Sequence, residues 1–147
     1  MECPDFFELD GKYVLLTSPQ DMLPEGLEFH NGNGTLCIIG ELDPETHTLK
    51  EQFCQGVDYG IDYYAMQTLL APDGLRRIMI AWMQNWDTLA YRCNDSGWFA
   101  QMSLPRELSV KTEDCIRFRS ENLMPCVQTK SSITMCDKRY QAHTGSN

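Results

Sequence analysis

Turn signals divide the first 111 residues of this chain into short apolar runs, and no run carries the apolar stripe of an amphipathic helix. Phe6–Leu9 and Tyr13–Thr17 flank Asp10-Gly11, a dipeptide suited to the positive φ angles of a tight hairpin turn. Tyr63–Leu70 and Arg77–Trp82 flank Ala71-Pro72-Asp73-Gly74, a second hairpin signal. Thr35–Gly40 follows the turn-rich stretch Asn31–Gly34. Trp98–Leu104 and Glu107–Val110 complete the expected strands. Short strands at fairly even spacing predict an all-β fold: a sandwich, a barrel or a propeller.

Composition narrows the function classes. An apolar fraction of 42% suits a packed domain, and the longest apolar runs are too short to span a bilayer. A net charge of −9 argues against binding to a phosphate backbone, so neither nucleic acid nor membrane is an expected partner. The 7 cysteines lack the regular spacing of a disulfide framework. There is no C-x-x-C, and His30, His47 and His143 stand apart, so no metal and no cofactor are expected. An acidic start and a brief first apolar cluster do not resemble a secretory leader, and the expected location is cytoplasmic.

Composition also shifts near Lys111. Residues 1–111 hold 17 of the 21 acidic side chains, whereas residues 112–147 hold 4 acids against 5 bases. Thr129–Asn147 shows no sustained period of a strand or a helix. Two units are therefore expected, an ordered 1–111 and an irregular 112–147.

Several clusters can carry chemistry. In Glu2-Cys3-Pro4-Asp5, a carboxyl beside Cys, Pro and two phenylalanines can be partly desolvated and made fit for general-acid work. Taken alone, solvated acids before a strand are the favoured reading. In Asp58-Tyr59-Gly60-Ile61-Asp62-Tyr63-Tyr64, strand alternation would put Asp62 and Tyr64 on one face, with Tyr63 on the other. Aromatic faces beside carboxylates suit a sugar, and a packed core with edge tyrosines explains the segment equally well. Trp82, Trp86 and Trp98 either line a pocket or simply pack. Arg106 beside Glu107 reads as part of a buried ion pair.

Four segments, ECPDFF followed by GKYVLLTSPQ, DYGIDYYAMQT, RRIMIAWMQNWD and FAQMSLPREL, together resemble glycoside hydrolase family 32, the invertases and sucrose-6-phosphate hydrolases. The resemblance covers essentially all of residues 1–111. It implies part of a five-bladed β-propeller, roughly two to three blades at ~40–45 residues each. It also implies a retaining β-fructofuranosidase acting on a small carbohydrate: sucrose, sucrose 6-phosphate or a fructan. Carried over by residue, Glu2 matches the general acid/base, and Cys3 and Asp5 match the neighbours that tune and orient it. Asp62 and Tyr64 fall in the segment lining the funnel, and Trp82 matches an aromatic near the substrate pocket.

Departures from the family matter as much. Its nucleophile motif, like WMNDPNG, and its RDP motif do not occur in this chain, and Met66 stands where many relatives have a small residue or Pro. The chain is therefore expected to be a truncated catalytic domain, inactive alone. The rival expectation is a non-catalytic carbohydrate-binding or structural β module. After Lys111 relatives continue with a pattern like NGRLYQxPVREL. Synonymous codons for Lys111–Leu123, with one A inserted in the opening run of A, read KNGRLYQIPVREF. Residues 112–147 are accordingly expected to be out-of-frame and disordered.

Overall fold

The computed structural model describes residues 1–26, 28–87, 101–112 and 115–119, with side chains described up to Val110. Among these residues eight strands form: β1 Glu2–Leu9, β2 Lys12–Ser18, β3 Leu36–Asp43, β4 Thr48–Gly56, β5 Tyr64–Leu70, β6 Arg77–Trp82, β7 Arg106–Thr112 and β8 Cys115–Arg119. They make two four-stranded antiparallel sheets in chain order, β1-β2-β3-β4 and β5-β6-β7-β8. The fold is all-β, as the punctuation of the sequence predicts.

Both predicted hairpins form. Asp10 and Gly11 adopt φ 51° and 78°, the left-handed pair that a two-residue turn between twisted strands demands. At the second, Asp73 accepts from the N–H groups of Leu75 and Arg76, which closes the turn before β6.

Alternation decides where the core lies. In the first sheet Phe7, Val14 and Ile39 stand in one row across β1, β2 and β3, and all three are buried. Met66, Met79, Ala81 and Leu108 meet them from the second sheet, with Val57 and Tyr63 of the linker between. Burying each Val, Leu, Ile, Met or Phe side chain among them contributes about 1.5–3 kcal/mol. The opposite row of the first sheet, Phe6, Leu15 and Ile38, is also apolar but only half-covered. On the second sheet the outward row holds Leu69 and Ile78. Two sheets that keep apolar rows on their outer faces are built to stack in series. They are consecutive blades of a partial propeller.

Polar ties join the sheets. The Asp5 carboxylate accepts from Thr68 N at 2.8 Å and Thr68 Oγ1 at 2.6 Å. Arg77 donates to the same hydroxyl at 2.8 Å and lies 4.0 Å from the centre of the Phe7 ring. Arg106 pairs with Asp58 at 2.7 Å and stacks over Tyr63. The ion pair expected within Arg106-Glu107 is not the one found: Arg106 takes Asp58 of the inter-sheet linker instead, and the pair is half-buried.

One strand is unforeseen and three expectations need correction. β4 carries no sequence signal strong enough to predict it, because most of Thr48–Phe53 is exposed or half-exposed and does not alternate. Trp98–Leu104 is not a strand over its described part. Met102 makes a single bridge to Trp82, Ser103 Oγ accepts from Ala81 N at 3.0 Å, and Pro105 has no N–H to extend a ladder. Trp98 itself lies outside the described residues. Asp62 is not on a strand with Tyr64, since β5 begins at Tyr64; the Ile61 and Tyr63 carbonyls are taken by side chains of Asn31, Asn85 and Thr35. Finally, the irregular tail does not begin at residue 112: Cys115–Arg119 pairs with β7. The run Ile116-Arg117-Phe118-Arg119 alternates apolar and charged residues, which suffices for a ladder. Residues 120–147 lie outside the described residues.

Candidate active site

β1 and β5 start with the same irregularity. Glu2 pairs with Ser18 and Asp5 with Leu16, so β1 holds one extra residue, and Cys3 takes φ 47°. Tyr64 pairs with Trp82 and Gln67 with Ile80, and Ala65 takes φ 50°. A left-handed non-glycine residue costs on the order of 1–3 kcal/mol, so each bulge needs support from its surroundings. Thr17 Oγ1 donates to the Glu2 carbonyl at 3.1 Å, and Ala65 N donates to Ser18 Oγ at 2.9 Å. Each bulge redirects the first side chain of its strand, and the two side chains meet.

Tyr64 donates its hydroxyl to Glu2 Oε2 at 2.7 Å. Glu2 is exposed, and its other oxygen has no partner among the described residues. Tyr64 is 1% exposed. Burial, and next the hydrogen bond to the Glu2 carboxylate, push its phenol up to about 12. At neutral pH the phenol is therefore a proton-bearing donor to a carboxyl group that is otherwise open to a ligand.

An aromatic corner stands beside this pair. The Trp86 ring meets Tyr64 edge-on at 6.1 Å and Trp82 at 5.8 Å. Trp82 is half-buried and lies directly across the ladder from Tyr64, while Trp86 is 44% exposed. An exposed indole next to a carboxylate is the arrangement that holds the C–H face of a sugar while its hydroxyls are bound.

Of the six residues singled out from the sequence, the fold brings Glu2, Tyr64 and Trp82 into one cluster. Cys3 is a free, half-buried thiol at the bulge. Asp5 points its carboxylate at Thr68, which makes it a tie between β1 and β5. Asp62 is half-buried in the linker before β5. Trp86 was visible in the RRIMIAWMQNWD segment, but without the turn that follows β6 nothing distinguished it from a packing residue. A separate groove of about 180 Å³ lies among Glu28, Phe29, His30, Asp58 and Tyr59, and contains none of Glu2, Tyr64, Trp82 or Trp86. There the Glu28 carboxylate accepts from Gly56 N at 3.2 Å and from the Tyr59 hydroxyl.

Paired blades with a carboxyl and a phenol at the starts of β1 and β5, and indoles at and beyond the end of β6, define a propeller-type carbohydrate enzyme domain. The chain belongs to glycosyl hydrolases family 32: the description of that family's N-terminal domain matches residues 1–119. It is 38% identical over 107 residues to raffinose invertase of Escherichia coli, covering 73% of this chain and 22% of that protein. It is 39% identical over 142 residues to sucrose-6-phosphate hydrolase of Zymomonas mobilis, covering 95% and 27%. Among solved structures it is similar to the family 32 β-fructofuranosidase of Bombyx mori, with a TM-score of 0.68, 39% identity, and coverage of 80% of this chain and 25% of that one. A mutant of that silkworm enzyme, equally similar in fold, is in complex with sucrose. The chain thus spans about a quarter of the length of the relatives it matches. No helix among the described residues is long and apolar enough to cross a membrane.

Proposed function

We propose that Glu2 is the general acid/base of a β-fructofuranosidase centre, in a protein that hydrolyses the terminal fructosyl bond of sucrose or sucrose 6-phosphate with retention. The hydrogen bond from Tyr64 to Glu2 carries this reading, because it holds one carboxylate oxygen and leaves the other free to exchange a proton. Glu2 gives its proton to the leaving oxygen, then takes one from the water that releases fructose. Once Glu2 is charged, the neutral phenol stabilises it. Trp86 and Trp82 flank the sugar ring, and Asp5 keeps β1 fastened to β5.

A retaining mechanism needs a second carboxyl about 5–5.5 Å away to form the covalent intermediate. The motif that carries this nucleophile in the family is absent from the 147 residues, so the chain by itself is expected to be inactive. The test is glucose or glucose 6-phosphate release by the purified chain, alone and mixed with a relative's N-terminal segment that bears the motif. No release alone, and release in the mixture that Glu2→Gln lowers by about 10³-fold or more, supports the reading. Turnover by the chain alone that depends on Glu2 would overturn the claim that the nucleophile lies elsewhere.

A second reading, a non-catalytic carbohydrate-binding module, is favoured by the exposed Trp86. It predicts saturable quenching of tryptophan fluorescence by sucrose and no turnover in either arm. A cytoplasmic location belongs to the enzyme reading. It rests on the sugar phosphate in the relatives' names, since a charged phosphate does not cross a bilayer unaided.

A further inference from the structure

We propose that Asn85 is a positioning residue for this site: it fixes the turn that carries Trp86, so that the indole stands edge-on to Tyr64. The inference rests on the reading of Glu2 above and adds to it a residue that neither touches sugar nor moves a proton.

Asn85 is 1% exposed, although amide side chains are mostly found at the surface. Its Nδ2 donates to Asn31 Oδ1 at 2.7 Å and to the Ile61 carbonyl at 2.6 Å, and its Oδ1 accepts from Asp87 N at 2.7 Å. Asn31 donates to the same Ile61 carbonyl at 2.8 Å. One amide thereby joins the β2–β3 loop, the β4–β5 linker and the segment after β6.

The bond to Asp87 N closes a small turn around Trp86, and the donated bonds clamp that turn to the neighbouring loops. Burial alone cannot hold a ring that is 44% exposed. Its edge contacts with Tyr64 and Trp82 are weak singly and free to slide. The buried amide network is the stiff element, because breaking it would strand polar groups away from water.

The experiment uses the full 147-residue chain. An edge-to-face indole pair gives an excitonic band in circular dichroism, and loss of that band in both Trp86→Phe and Trp82→Phe assigns it to Trp82–Trp86. Asn85→Ala and Asn85→Asp should keep the β signal and cooperative unfolding yet lose the band. The Asp variant has the same size but turns an acceptor toward two oxygens, so it should not rescue. Leu9→Ala, which loosens the core away from this network, should keep the band. A folded Asn85→Ala protein with its indole band intact overturns the proposal.

If neither Asn85 variant folds, Asn31→Ala asks the same question. It removes one partner and leaves Asn85 bonded to Ile61, so the band should weaken; an unchanged band is again fatal. Glu2→Gln leaves the band in place whatever Glu2 does in catalysis. Failure at Asn85 therefore does not touch the role of Glu2, and failure at Glu2 does not touch Asn85.

Discussion

At the scale of single residues, the site turns on whether Tyr64 keeps its proton. The phenol is raised from its ordinary 10.0 to about 12 in the folded chain. The folded state therefore holds the proton more tightly than the unfolded one. The stability tied to it is intact below about pH 10 and is lost as pH rises through about 12. Urea midpoints measured from pH 9 to 12 should fall for the wild type and fall less for Tyr64→Phe. Below pH 9 the Phe variant should lose only about 1 kcal/mol, because Glu2 is exposed and water replaces the phenol. Glu2 was legible in the sequence through the ECPDFF segment and its neighbours. Its bond to Tyr64 was not, because the two residues are 62 positions apart and meet only through two bulges that no periodicity announces. Asn85 was equally hidden, since its partners come from three separate connections.

At the scale of elements, the turns were the readable part. Asp10-Gly11 and Asp73-Gly74 announce their hairpins through the backbone angles they tolerate, and the strands beside them follow from alternation. β4 could not be read, because an outer strand with exposed Glu51 and Gln52 lacks an apolar face. Its position is enforced by close approach instead. A Cβ added at Gly40 would lie 2.2 Å from the Lys50 carbonyl oxygen, at the place where the β3–β4 register shifts. Gly40→Ala should therefore cost at least about 1–3 kcal/mol, read as a lower denaturation midpoint, and should release β4 first in hydrogen exchange. The second hairpin has its own acid sensitivity. The Arg76 and Leu75 N–H groups, and then the Arg76 guanidinium, lower the Asp73 carboxyl from 3.8 to about 2. Its stabilising effect is present above about pH 4 and lost as pH falls through about 2. Asp73→Asn should flatten that limb of the acid-unfolding curve.

At the scale of the whole molecule, the two sheets were foreseen as blades, but the end of the ordered region was not. β8 continues the second sheet past Lys111, the family match runs to residue 119, and the alignment with the Zymomonas protein reaches well into the tail. We nonetheless propose that residues 112–147 are read out of frame, on the strength of the shifted reading KNGRLYQIPVREF. Resequencing the locus through the run of A should reveal one missing base; an unbroken frame overturns the proposal. Restoring the base should yield a chain with a higher unfolding temperature, since a terminal blade gains from neighbours that cover it. The matching bulges at the heads of β1 and β5 carry a further consequence. Glu2 and Tyr64 occupy the same socket in two successive sheets. The two sockets are filled differently, one with a carboxyl and the next with the phenol that donates to it. In such an architecture a new activity can arise by exchanging single residues at the sockets, with the scaffold between them left as it is.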